Sequence, residues 1–276
     1  MKDYFLSGEN FSLFQCSQCE FVFTQDHPGK EIISSYYKSE EYVSHSNTRD
    51  GIVNKLYHFS RGYMLGRKRK LIERLTHKKT RNILDIGSGT GFFLNHMREH
   101  GWDVTGIEPS EEGRKFCRDQ FALEIQDEKT LFTLDKESYD VITLWHVLEH
   151  IQDIDEYMKK IHSMLRKDGL LLIALPNLRS TDAIIYKEKW AAYDVPRHLW
   201  HFTPFSFKKL AAKYQFQLLK MKSMPLDAGY VSLLSEKYRN NLLGFLAGGI
   251  IGVISLVLGL IDVKKSSSII YILRKF

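Results

Sequence analysis

The 276-residue chain has only three cysteines, Cys16, Cys19 and Cys117. A disulfide-built secreted domain uses more, and no stretch reads as a secretory leader. Both absences point to a reducing cytoplasm. No segment repeats at a fixed period and no tract is compositionally biased, which sets aside repeat architectures and low-complexity arms. With 43% hydrophobic and 26% charged residues the chain is not broadly disordered. Its length suits one large α/β domain with an extension, or two small domains.

The most informative stretch lies between Ile83 and Leu94. An apolar run meets Asp85, passes through Gly87, Gly89 and Gly91, and enters Phe92, Phe93 and Leu94. This order predicts a buried parallel strand, a tight turn and a helix start. Alternate glycines let the backbone approach a ligand that side chains would block. Loops of this kind at strand C-termini are where open α/β sheets bind nucleotides. A dinucleotide G-x-G-x-x-G would place its third glycine on Phe92, but glycine comes one residue early, so no pyrophosphate is implied. The D-x-G-x-G-x-G form resembles motif I of class I S-adenosylmethionine-dependent methyltransferases. A glycine-rich turn in some other Rossmann-like protein is the alternative.

Strand and helix signals alternate around this loop. Strands are predicted at Asn82–Ile86, Asp103–Glu108, Leu123–Gln126 (weak), Tyr139–Trp145 and Leu170–Leu175. Gly101 closes one helix, Gly169 is expected to stop another, and Thr203-Pro204 opens a third. Phe216–Met221 and Ser268–Leu273 suit a closing hairpin pair. Repeated β-α units imply a parallel sheet covered on both faces. The whole resembles the seven-stranded, mostly parallel, Rossmann-like methyltransferase sheet with helices on both faces. The expected divisions are a cap or lid with a CxxC over 1–50, a core with a basic leading helix over 51–241, an apolar insertion over 242–265 and a final strand over 266–276.

The resemblance implies S-adenosylmethionine as cofactor. Glu108, about 20 residues beyond the loop, is expected to accept hydrogen bonds from the ribose hydroxyls. Asp85 is expected to order the glycine loop and face the sulfonium, and Asp127 to contact adenine. Gly87, Ser88, Gly89, Gly91, Pro109, Trp145 and Tyr37 complete the expected cofactor contacts. Methyl transfer from a sulfonium is an in-line displacement, so positioning and water exclusion supply most of the acceleration. A base is needed only where the acceptor must lose a proton.

The segment from Tyr139 to His150 resembles the family's fourth-strand motif. His146, Glu149 and His150 are expected to share a face of a starting helix. Arg197, His198, Leu199, Trp200 and His201 are positioned to fold over the same pocket. Three readings stay open: a histidine as general base, a divalent ion held by His146, Glu149, His150 and a later histidine, or a structural brace. Methyltransferases with a similar Glu-x-x-Glu-His motif use metal, but His146 stands here where the first Glu would be. Cys16 and Cys19 have zinc-knuckle spacing and resemble half of a zinc-ribbon-like cap, without the second pair that a four-ligand site requires. Tyr36, Tyr37 and Tyr42 to His45 resemble a lid over the cofactor.

Net charge is +6, and Arg61, Arg67, Lys68, Arg69, Lys70, Arg74, Lys78, Lys79 and Arg81 crowd one stretch. A solvated helix face is the first reading, an anionic membrane surface the second, and nucleic acid is not expected as a partner. Leu242–Ile261 carries no charge and is about long enough to span a bilayer. A crossing would strand the last sheet strand on the wrong side, so a shallow one-leaflet insertion, a homodimer contact or a covered helix is expected instead. The reading as a whole is an enzyme moving methyl from S-adenosylmethionine to oxygen or carbon of a small-molecule or lipid-linked acceptor, similar to quinone- and sugar-type methyltransferases. It is placed in the cytoplasm, with peripheral contact to the inner face of the membrane. A non-catalytic cofactor-binding or membrane scaffold on the same fold is the rival.

Overall fold

A computed structural model describes residues 1–37, 52–76 and 81–276, and no side chains at 30, 34 and 52–60. Tyr42 to His45 of the expected lid, and Lys78 and Lys79, lie outside the described residues.

The strands in chain order are β1 (Leu13–Gln15), β2 (Val22–Thr24), β3 (Asn82–Ile86), β4 (Asp103–Ile107), β5 (Tyr139–Trp145), β6 (Leu165–Pro176), β7 (Trp200–His201), β8 (Phe216–Ser223) and β9 (Ser268–Lys275). Six of them form the main sheet in the order β4-β3-β5-β6-β9-β8. The first four are parallel, and β9 runs antiparallel to both β6 and β8. Alternate residues feed two cores. Leu84, Ile86, Ile142, Leu144 and Tyr271 pack on one face, Ile83, Val141, Leu172 and Ile272 on the other. Helices Ile154–Met164 and Pro204–Lys213 cover the first face, Ile52–Leu75 and Phe92–Glu99 the second. Thr203 and Ser206 cap the Pro204 helix reciprocally, as the Thr-Pro signal predicts.

The structure departs from the sequence expectations in three places. Leu123–Gln126 contributes a single parallel bridge, Gln126 to Ile107, rather than a seventh strand. The next residue, Asp127, turns the chain into a short 3₁₀ helix by capping Lys129 and Thr130 amides. Gly169 does not stop the preceding helix, which ends at Met164 because Leu165 already pairs with Tyr139. Gly169 instead fits a tight bend, where a Cβ would lie 2.8 Å from the Arg166 carbonyl oxygen. Leu148–His150 is one 3₁₀ turn, not a starting α-helix.

A second sheet, β1-β2-β7, ties the N-terminal cap to the core. Arg197, almost fully buried, bridges Asp3 of the cap (3.0 Å) and Asp194 (2.6 Å). His201 in β7 is buried with Nε2 2.9 Å from Thr24 Oγ1. Burial, then the charge of His198, pushes the His201 imidazole from 6.5 down to about 3. The unfolded chain therefore takes up that proton first as pH falls, so folded-state stability is lost from about pH 6.5 towards 3. The loss from this group should reach about 2 kcal/mol by pH 5. Thermal unfolding of wild type and His201→Gln checks this: the gap between them at pH 7 should shrink by that amount at pH 5, and a constant gap would contradict it.

Candidate functional site

The glycine loop follows β3, where the sheet's parallel strands end. Gly87, Gly89 and Gly91 all have positive φ (73°, 54° and 72°), which L side chains rarely adopt. Their surroundings differ. A Cβ on Gly87 would lie 2.3 Å from Val147, and one on Gly91 2.6 Å from Cys117 Sγ, so packing alone excludes side chains there. A Cβ on Gly89 would meet nothing within 4 Å. Gly89 is thus the loop position that borders open space.

Glu108 closes the other side of that space. Its Oε2 accepts from Gly89 N at 2.7 Å and its Oε1 from Ser110 N at 2.9 Å. Burial raises its carboxyl above the usual range, against those two amides. Each oxygen keeps a second lone pair for a ligand. Ser88 donates its hydroxyl to the Asp85 carbonyl, and the Pro109 carbonyl accepts from Arg114. Both therefore shape the loop rims. Cys117, behind the loop, is pushed up to about 11 by burial and stays a thiol.

Asp85 is buried at the end of β3 and accepts from the Thr143 hydroxyl of β5. Burial pushes its carboxyl up to about 7, against Thr143 and the charge of Lys68. Lys68, from the Ile52–Leu75 helix, lies 4.0 Å from the centre of the Trp145 ring. Burial lowers its ammonium to about 8, against Asp85 and Asp227. The basic stretch is therefore not uniformly a solvated face. Lys68 falls four residues after Met64 and four before the fully buried Ile72. That position inside the apolar stripe is the signal that separates it from its cationic neighbours.

His146 has φ +57° and stands just past β5. Its Nε2 lies 2.9 Å from Asp227 Oδ2 and its Nδ1 3.3 Å from Glu149 Oε1. Burial alone would lower its pKa, but the two carboxylates outweigh it and raise it to about 10. His146 is thus an imidazolium with both nitrogens engaged. Burial would also raise Glu149 and Asp227, and His146 holds each below the usual carboxylate range. Asp227 was not among the sequence candidates. It begins a helix 81 residues away in the chain, with no motif around it.

Glu149 is fully buried, and neither carboxylate oxygen accepts a hydrogen bond among the described residues. One ligand atom each of Glu149, His150 and His198 lie within 4.8 Å of one another. His150 Nδ1 is 3.0 Å from the Arg197 carbonyl and 3.0 Å from the Tyr37 hydroxyl, and His198 Nδ1 is 2.9 Å from the Ala192 carbonyl. Donation to those carbonyls leaves Nε2 of each ring with a lone pair whenever the ring is neutral, although His198 Nε2 also lies 3.9 Å from Asp194 Oδ2. Backbone partners that fix the tautomer are the usual support of metal-binding histidines. The donor set fits a divalent cation. Tyr37 sits at this histidine cluster. His201, turned to Thr24, does not join it. Cys16 and Cys19 find no third ligand among the described residues, so the donors present do not fit structural zinc.

Most of the expected groups, joined by Lys68 and Asp227, thus form one belt. Glycine loop and Glu108 lie at one end, Asp85, Lys68 and Trp145 in the middle, and Asp227, His146, Glu149, His150 and His198 at the other. A family model described as "Methyltransferase domain" matches residues 60–221. A ubiquinone biosynthesis O-methyltransferase of Coxiella burnetii is 29% identical over 130 residues, 45% of this chain and 55% of the relative. Its Pelagibacter ubique namesake is 36% identical over 112 residues, 38% and 46% of the two chains. The match therefore spans about half the length of these relatives. The crystal structure of an S-adenosylmethionine-dependent methyltransferase from Archaeoglobus fulgidus shares the fold, with TM-score 0.54 and 21% identity over 78% of this chain and 94% of that one.

Proposed function

The chain belongs to the methyltransferase domain family, and from that premise we propose that it transfers the methyl group of S-adenosylmethionine to a hydroxyl of a small-molecule acceptor. The observation that carries this reading is the open space over Gly89, floored by loop backbone and flanked by the Glu108 carboxylate. The loop and Glu108 would hold the nucleoside. Lys68 and Asp85 offer opposite charges to a zwitterionic amino-acid end, with Trp145 beside them. The bound cofactor supplies an electrophilic methyl on sulfur.

The acceptor end belongs to the other half of the belt. Glu149, His150 and His198 would hold a divalent cation, which would lower the pKa of an acceptor hydroxyl bound to it. His146, clamped between Asp227 and Glu149, positions that carboxylate and adds fixed positive charge. Where no cation binds, His150 offers the lone pair that would take the proton, on an imidazole that burial and then the charge of His198 push down to about 4. An exposed apolar helical pair begins at Asp227 itself, which suits a lipid-linked acceptor and an enzyme working on the cytoplasmic side of a membrane.

Glu108→Ala removes two ribose hydrogen bonds and frees the Gly89 amide. Affinity for S-adenosylmethionine should fall by about 2–3 kcal/mol, and unchanged calorimetric affinity would remove Glu108 from the site. The cation reading has its own readout. Chelator-treated protein should take up about one equivalent of a divalent metal, and Glu149→Gln should abolish that uptake. Full turnover after chelation, with no uptake on re-addition, would assign the proton to His150 instead.

A further inference from the structure

The helices Asp227–Arg239 and Gly244–Ile261 form an antiparallel pair whose packing is inverted relative to a soluble amphipathic helix. Gly244, Gly248, Gly252, Ser255 and Gly259 are buried. A Cβ on Gly248 would lie 3.0 Å from Leu233 Cα, and one on Gly252 2.9 Å from Gly229 Cα. Gly244, Gly248 and Gly252 therefore let the two helices pack closely. The large residues face outward: Phe245, Leu246, Ile250, Val253, Val257 and Leu260 are all exposed. A soluble helix turns such residues to the core, and contiguous exposed apolar surface marks a contact.

The helix is long and apolar enough to cross a bilayer, with mean hydropathy 2.4. Its two ends forbid crossing. Gly259 sits against Ser266, and β9, which follows, is hydrogen-bonded between β6 and β8. The other end returns to Arg239 on the same domain. A helix of about 27 Å lying along its partner with both ends on one domain can enter only one leaflet.

The charges around the face select the surface it meets. Residues 241–261 include no acid. Of the nearest carboxylates, Asp227 pairs with His146 and Glu236 (buried) with Arg239 and Asn241, while Asp262 accepts from the Lys264 amide and keeps its charge beside Lys264 and Lys265. Lys237, Lys264 and Lys265 are exposed. Next to Leu226 and Pro225, Arg67, Lys70, Arg74 and Lys222 line a groove of about 320 Å³. An apolar face without acids of its own, rimmed by cations that outnumber the one nearby charged acid, matches anionic phospholipid. We propose that this helical pair docks the protein on one leaflet of a bilayer rich in anionic phospholipid. The docked element also carries Asp227 to His146, so the membrane face and the acceptor end share one helix. The inference does not rest on methyl transfer and survives or fails without it.

The test uses the full chain, without detergent, and vesicles of phosphatidylcholine with or without phosphatidylglycerol. Wild type should sediment with the anionic vesicles and partition about tenfold less onto phosphatidylcholine alone. Phe245→Trp should shift its emission to the blue and be quenched by brominated lipid only with anionic vesicles. Two variants should each weaken partition at least about tenfold. One combines Phe245→Ser, Ile250→Ser, Val253→Ser and Leu260→Ser, the other Lys264→Glu and Lys265→Glu. The second leaves the apolar packing untouched, so it remains readable if the first misfolds. Wild type that stays in the supernatant would overturn the proposal, as would indifference to phosphatidylglycerol. A dimer in which Phe245→Trp emission follows protein concentration and ignores lipid would overturn it in favour of a second copy of this chain.

Discussion

Replacing Gly89 by valine should abolish S-adenosylmethionine binding while leaving the fold in place. The loop's three glycines separate cleanly here. Side chains at Gly87 or Gly91 would strike Val147 or Cys117 and disturb the core, so loss of binding there would be ambiguous. At Gly89 the new Cβ meets no protein atom within 4 Å, and the side chain extends from it into the space assigned to the cofactor. Its φ of +54° adds backbone strain of about 1–3 kcal/mol for a β-branched residue. Steric exclusion should weaken binding at least about 100-fold, about 2.7 kcal/mol or more. Calorimetric titration of a variant with near-native circular dichroism checks it. Wild-type affinity in that variant would refute the assignment of the loop.

The second large effect is expected at Glu149. Glu149→Gln keeps the shape of a fully buried side chain but removes the charge that faces His146 and the candidate cation. Turnover should fall about 10²–10⁴-fold under either the cation or the base reading, with cofactor affinity within about twofold because the glycine loop is untouched. The split between turnover and cofactor binding matters. A structural brace would lower thermal stability and cofactor binding together and leave turnover per folded molecule unchanged. That result would remove Glu149 from the chemistry.

The parallel core was legible because fully buried strands read as apolar runs. Asn82–Ile86 and Tyr139–Trp145 were predicted to the residue, and the β8–β9 pair closes the sheet as expected. Leu123–Gln126 was weak in sequence and weak in fact, because Asp127 diverts the backbone after one bridge. Gly169 misled because a strand partner, not a glycine, decides where that helix ends. The site was half legible. Glycine spacing and Glu108 are local signals, while the partners of His146 depend on tertiary packing. Asp227 is brought in by a helix whose sequence carries no motif, and Lys68 is hidden in a cationic run unless its place in the apolar stripe is noticed. Four-residue spacing suggested that His146 and His150 share one face of a starting helix. The 3₁₀ turn separates them, giving His146 two carboxylates and His150 a backbone carbonyl.

The account stands or falls on methyl transfer itself. The direct measurement is release of S-adenosylhomocysteine by the wild-type protein, with S-adenosylmethionine and a polyprenylated phenol or catechol presented in anionic vesicles. The expected result is one S-adenosylhomocysteine per methyl ether formed, at a rate lost in Glu149→Gln. Tight S-adenosylmethionine binding with no S-adenosylhomocysteine above the Glu149→Gln background, for every hydroxyl acceptor offered, would contradict the account and leave a cofactor-binding protein without transferase activity.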